Sequence, residues 1–275
     1  MSTYRVKGVA EETERLWVDS MPEAYERWLV PTVFRPFAVD LARRVSERTP
    51  GRVLELAAGT GVLTRELVAA LAPGVVTATD FNQAMVDSGR VHAPTAEWRQ
   101  ADAMDLPFGV AEFDLVACQF GVMFFPDKPT AFAEVRRVLT PGGTLLMSTW
   151  GTIDTHDFQA AVFAGLERAF PEDPPTFMVS VPHGYADAQV IVTDLHAGGL
   201  DCVAIETVTL EGPGASFADL AAGYCTGTPL RPEIEARGDL AATTKVVAEE
   251  MEARLGTGAV TGRMTAHIIA ATPTA

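Results

Sequence analysis

Hydrophobic and polar positions follow two alternating rhythms along the chain. RVLELA at 52–57, VVTATD at 75–80, FDLVACQF at 113–120 and GTLLMSTW at 143–150 are short apolar runs, the pattern of strands covered on both faces. Between them TRELVAALA, NQAMVDSGRVH and KPTAFAEVRRVL repeat apolar residues at helical spacing, and AEWRQADA adds one more extended stretch. Strands alternating with helices predict a parallel sheet with helices on both faces. Residues 1–50 read as an N-terminal helical segment, with Leu16, Trp17, Trp28, Leu29, Phe37, Leu41 and Val45 near helical spacing, ended by Pro50 and Gly51. After Trp150 the rhythm weakens. DFQAAVFAGLERAF reads as a helix, PEDPPTFMVSVPHGY as a proline-rich loop, the stretch around ADAQVIVTDLHAGG as a helix, DCVAIETVTL as a strand, residues 216–256 as mainly helical and AHIIAAT as a final strand. The organisation expected is a core at 51–150, completed by 201–211 and 262–275, with insertions at 151–200 and 212–261 that form a helical cap.

Composition narrows the function. With 275 residues, 48% hydrophobic and 21% charged, the chain can bury a sizeable core. A net charge of −15, with acidic residues scattered, argues against a nucleic-acid partner, which needs clustered Lys and Arg. The start lacks the apolar region of a signal peptide, and no stretch reaches the roughly 18 apolar residues of a membrane span, so a cytoplasmic protein with no membrane partner is expected. Cys118, Cys202 and Cys225 are far apart and lack CxxC or CxxH partners, so neither a disulfide framework nor a metal site is indicated; Cys118 reads as a small core residue.

The segment RVLELAAGTG carries the most chemistry. A strand runs into a loop of small residues and then a helix near Val62, an arrangement that brings a ligand close to backbone N–H groups. The dinucleotide fingerprint wants a third small residue, but from Gly59 the chain reads Gly-Thr-Gly-Val-Leu-Thr, which weakens a pyrophosphate site. Asp80 closes the second strand, nineteen residues past Gly61, where an acid reaches ribose hydroxyls; Asp102 follows the third, where it could accept from an adenine amino group. Capping of the next helix is the competing role for each. Asp114 reads as structural.

ELAAGTG, TATDFNQAM, ADAMDLPF, FDLVACQFGVMFFPD and RRVLTPGGTLLMSTW, in that order, resemble the successive motifs of class I S-adenosylmethionine (SAM)-dependent methyltransferases, and are most similar to the ubiquinone and menaquinone biosynthesis C-methyltransferase group. The resemblance covers residues 52 to about 150. It implies a Rossmann-like α/β fold with a seven-stranded, mostly parallel sheet and an antiparallel last strand, for which AHIIAAT is the candidate. It also implies SAM as cofactor, held by Glu55 near the methionyl end, Ala57, Gly59 and Gly61 as backbone cradle, Asp80 on the ribose, Phe81 on the adenine, Asp102 and Ala103 at its edge, and Gln119 and Phe120 at the sulfonium. Ala57 stands where the family usually has glycine; alanine suffices there if φ is negative, and a positive φ would distort the cradle.

Methyl transfer from a positively charged sulfur asks chiefly for in-line positioning and exclusion of water, and for a base only when the nucleophile must lose a proton. His156, just past the strand GTLLMSTW, is the candidate base, and His183 is second. Tyr25, Trp150 and His183 are candidates for the substrate pocket. The aromatic residues of the insertions point to a small, largely apolar or aromatic methyl acceptor, as in tailoring of a secondary metabolite or quinone-like ring, with a homodimer as a compatible assembly. Two other readings share parts of this pattern. An NAD(P)-dependent oxidoreductase would share the strand, the glycine loop and the ribose acid, but would carry the third small residue of the fingerprint and, in the short-chain reductase family, a Tyr-x-x-x-Lys pair, both of which this chain lacks; a non-catalytic SAM-fold binding protein would keep the loop without the chemistry.

Overall fold

The computed structural model describes residues 21–258 and 260–274, so Leu16 and Trp17 of the expected N-terminal helix lie outside the described residues. Seven strands form one sheet: β1 (Val53–Glu55), β2 (Val76–Asp80), β3 (Glu97–Gln100), β4 (Phe113–Gln119), β5 (Leu139–Trp150), β6 (Leu200–Pro213) and β7 (Thr261–Pro273), in the order β3-β2-β1-β4-β5-β7-β6. Strands β1 to β5 pair in parallel, whereas β7 runs antiparallel to β5 from Leu145↔Ala271 to Trp150↔Ala266. The expected antiparallel strand is therefore present, longer than AHIIAAT, and inserted between β5 and β6. Apolar content follows position in the sheet. Central β1 is buried at every residue and β4 at every residue but Asp114, while edge strand β6 is largely exposed and carries Asp201, Glu206 and Glu211, charges that discourage pairing with another chain.

The described helices are α1 (Met21–Ala24), which continues as a π-helix over Tyr25–Phe34, α2 (Arg35–Ser46), α3 (Val62–Ala70), α4 (Gln83–His92), α5 (Lys128–Val138), α6 (Asp157–Ala169), α7 (Phe177–Ser180), α8 (Ala188–Ala197), α9 (Phe217–Gly227), α10 (Leu230–Glu235) and α11 (Leu240–Leu255). Side chains that accept from backbone N–H groups start several of them: Asn82 for α4, Asp127 for α5, Asp187 for α8, Ser216 for α9 and Asp239 for α11. Asp114 accepts from the N–H groups of Gly51 and Arg52 at 3.0 and 2.9 Å, the structural role expected of it.

Two compact units divide the chain. One holds Phe37–Trp150, Tyr185–Val208 and Ala266–Ala275; the other holds the stretch up to Pro36, Gly151–Gly184 and Thr209–Thr265. These borders differ from the sequence reading at four places; two are short, 209–211 and 262–265 going with the helical unit rather than with the core. Phe37–Ser46 goes with the sheet unit rather than with the N-terminal segment. Helix α8 does too, rather than with the 151–200 insertion, because Ile191 and Leu195 are buried and Gly198 lies where a Cβ would come within 2.4 Å of Phe132 on α5. In the helical unit, close approach is bought with small residues: a Cβ on Gly165 of α6 would sit 2.7 Å from the Val247 backbone of α11, and one on Gly223 of α9 would sit 2.8 Å from Trp28 and Leu29.

Candidate cofactor site

Between β1 and α3 the chain passes through three left-handed residues, Ala57 at φ 50°, Gly59 at φ 57° and Gly61 at φ 88°. Each has a different reason. Gly61 must lack a side chain because a Cβ would press within 3.1 Å of the Trp98 indole, whereas at Gly59 no atom lies within 4 Å of where a Cβ would be, leaving open space against the backbone. Ala57 does not have the negative φ under which alanine would be relaxed; it takes the backbone of a glycine, at a cost of about 1–2 kcal/mol. The cradle is thus strained at that point. Its methyl group is accommodated by Gly121 after β4, where a Cβ would fall 2.4 Å from that of Ala57.

Two carboxylates fix this loop. Glu55 is 1% exposed and accepts from Thr64 Oγ1 at 2.7 Å. Gly61, at the N-cap of α3, has no side chain to offer, so an acid from the neighbouring strand bonds the first turn in its place. Burial pushes the Glu55 carboxyl up to about 8 against the hydrogen bonds from Thr64, with Asp80 adding to the rise and Arg65 opposing it. Asp80 accepts from the N–H groups of Gly59 at 2.8 Å and Asn82 at 2.9 Å, and burial raises its pKa as well. A carboxylate has more lone pairs than these backbone groups occupy, so Asp80 can still accept from a ligand hydroxyl. Asp102 accepts from the N–H of Met104 at 2.9 Å, closing a turn, and Phe81, Asp102 and Ala103 are all half-buried.

At the ends of β4 and β5, Gln119 stands in register with Ser148, and the N–H of Phe120 donates to the Ser148 carbonyl at 3.1 Å. Phe120 is left-handed at φ 52°, and its ring stacks on Trp150 with centroids 3.4 Å apart and planes 9° apart. Phe37 meets both rings edge-on, at 5.4 and 5.1 Å. Sequence placed Phe37 only as a helical core residue and did not single out Thr64, Trp98 or Gly121; an apolar tryptophan on an edge strand and a glycine after β4 were signals available but unread.

The remaining candidates divide between the units. Trp150 belongs to the sheet unit, and Tyr25, His156 and His183 to the helical one. Tyr25 packs on Phe34 with ring centroids 4.8 Å apart. His156 is fully buried, and its ring meets that of His183 edge-on with centroids 4.5 Å apart. His183 Nδ1 lies 2.8 Å from the Gly151 carbonyl, which can only accept, so Nδ1 carries the proton. Burial depresses both imidazoles, His156 to about 3 and His183 to about 4, so each is neutral at neutral pH. Among the described residues no group of three or more His, Cys, Asp and Glu could hold a metal ion, and no helix is long and apolar enough to cross a membrane.

A methyltransferase-domain family profile matches residues 53–143, from β1 into β5. The ubiquinone/menaquinone biosynthesis C-methyltransferase UbiE of Burkholderia mallei is 31% identical over 172 residues, covering 57% of this chain and 70% of that protein. The chain belongs to the class I SAM-dependent methyltransferases. Solved structures share the methyltransferase's fold: phosphoethanolamine N-methyltransferase 2 of Haemonchus contortus, in complex with phosphomonomethylethanolamine and S-adenosylhomocysteine, has a TM-score of 0.59 at 16% identity, covering 94% of this chain and 59% of that one. The YcgJ protein of Bacillus subtilis has a TM-score of 0.55 at 17% identity, covering 87% and 99%. The methyltransferase uses SAM, and the loop described above fits such a group: open space faces Gly59, and Asp80 joins the loop to the end of β2 with lone pairs to spare.

Proposed function

We propose that this methyltransferase moves the methyl group of SAM to a small, largely apolar or aromatic molecule by direct displacement, releasing S-adenosylhomocysteine. SAM supplies a methyl carbon activated by a positive sulfur. The backbone of Ala57, Gly59 and Gly61 cradles it, Asp80 receives the ribose hydroxyls, Phe81 packs on the adenine, and Asp102 with Ala103 borders the adenine edge. Gln119 and Phe120 face the sulfonium, where an aromatic ring favours a cation. Glu55 serves the methionyl end by fixing the loop, since its carboxyl is engaged by Thr64. The observation that carries this reading is the hydrogen bond from Gly59 N–H to Asp80, which joins the ribose acid to the open part of the loop.

The acceptor class is supported by the interior of the helical unit, where Phe158, Phe177, Met178 and Tyr224 are buried. His156 and His183 are too weakly basic to hold a proton before reaction, so positioning carries the rate and either ring serves only as a late proton acceptor. A cytoplasmic role in tailoring a secondary metabolite or quinone-like ring follows from the same reading. Calorimetric titration with S-adenosylhomocysteine and separately with NADH, on the native protein and on Asp80→Ala, tests it. The expected result is binding of the first alone, weakened at least about tenfold in the variant by loss of hydrogen bonds to a charged group. Binding of NADH alone would replace this reading with an oxidoreductase, and binding of neither with a non-catalytic protein of the same fold.

A further inference from the structure

The first turn of α6 contains a buried hydrogen-bonding group that the folded chain does not use. Gln159, the third residue of this 13-residue helix, is 3% exposed, and its Oε1 is buried with no hydrogen-bond partner. A glutamine at this position commonly accepts from the N-cap N–H. That route is closed here, because the N-cap is His156 and its N–H already donates to the Ile153 carbonyl at 3.1 Å. Asp157 is also engaged: it accepts from the N–H of Arg263 at 2.9 Å and from the Arg263 guanidinium at 3.1 Å.

Helical side chains lean toward the N-terminus, which directs Gln159 toward the turn that His156 begins, and the His156 ring packs in turn against that of His183. The proton on His183 Nδ1 puts that ring's lone pair on Nε2. Gln159 Oε1 and His183 Nε2 are both acceptors. A buried carbonyl oxygen without a donor is costly, and the cost is recovered when a donor arrives. We propose that this turn receives a neutral hydrogen-bond-donating group of the methyl acceptor, a hydroxyl or an N–H, with Gln159 Oε1 as its direct partner. The proposal rests on the small-molecule reading above and narrows it: the acceptor is apolar in bulk but carries a neutral donor, in contrast to an acceptor recognised through a phosphate or carboxylate.

Phenol and anisole differ by this donor and serve as probes. Titration of each into the S-adenosylhomocysteine complex, followed by saturation-transfer NMR, should give phenol about ten- to a hundredfold tighter binding than anisole. In Gln159→Leu, and in Gln159→Met as a second apolar replacement, the ratio should fall to about one. Both variants should unfold at a urea concentration no lower than the native protein, since an unused acceptor has been replaced by apolar atoms. A phenol-to-anisole ratio unchanged by both substitutions, or absent in the native protein, would overturn the proposal, as would a marked loss of stability in both variants, which would mean the amide is already engaged. Calorimetry with S-adenosylhomocysteine on the same samples separates this from the cofactor reading, because that affinity is set by the β1–α3 loop and should not change.

Discussion

Glu55 makes stability depend on pH in an unusual direction. Its carboxyl is protonated in the folded protein up to about pH 8, whereas in the unfolded chain it ionises around 4.5. Below 4.5 both states hold the proton and the group contributes no slope. Between 4.5 and 8 the unfolded chain has lost a proton that the native protein keeps, so stability falls as pH rises, by about 1.4 kcal/mol per unit, until the folded group also ionises. Summed across the window this amounts to several kcal/mol, a large part of the 5–15 kcal/mol typical of a domain. Glu55→Gln mimics the protonated acid, can still accept from Thr64 and has no proton to lose. Urea unfolding of both proteins from pH 5 to 8.5 isolates the effect, because every other titrating group is shared. The two should be nearly equal at pH 5, and the variant should become progressively more stable by pH 8. A difference that stays flat across this range would refute the reasoning, and so would a variant less stable at pH 8, since it would mean that Glu55 is charged in the native protein and its bonds to Thr64 outweigh burial.

Gly89→Ala should destabilise by about 1–3 kcal/mol in urea unfolding, although alanine normally favours a helix interior, because the new Cβ would lie 2.1 Å from the Trp98 ring; a gain in stability would show that Trp98 moves freely. Gly121→Ala should cost a similar amount by overlap with the Ala57 methyl group, and the double variant with Ala57→Gly should recover much of it, giving a coupling energy above about 1 kcal/mol in a double-mutant cycle. Additive single effects would contradict the contact. Asp114→Ala should lower stability by about 1 kcal/mol, since the exposed Gly51 and Arg52 N–H groups that lose their partner can turn to water, with S-adenosylhomocysteine affinity unchanged in calorimetry.

The sheet was legible because its signals are local. Uninterrupted apolar runs such as FDLVACQF announce central parallel strands, and small residues after RVLEL announce a ligand loop. Features that depend on residues distant in sequence were not legible. Nothing near Ala57 signals a positive φ there; it is tolerated because residue 121, on the loop after another strand, is glycine. Likewise Glu55 follows from its contact with Thr64, and Asp80 from its bond to Gly59, so a strand-end acid proves to be both loop anchor and ligand candidate. Helix α8 was assigned to an insertion because its sequence has no feature distinguishing a crossover helix from a cap helix; only its packing on α5 decides. The His156–His183 contact was out of reach for the same reason, as a proline-rich loop separates the two residues.

Strand β7 lies between β5 and β6, and this order has a consequence for synthesis. As the chain leaves the ribosome, β1 to β5 can pair in turn, but β6 emerges with its only sheet neighbour among the described residues some fifty residues away, still to be made. Until Thr261–Pro273 is available, both β5 and β6 present unpaired backbone to the surroundings, the state in which nascent proteins bind chaperones or one another. Release of the final strand is therefore the step that closes the sheet, and a ribosome that stalls after α11 would display an aggregation-prone intermediate rather than a shorter version of the enzyme.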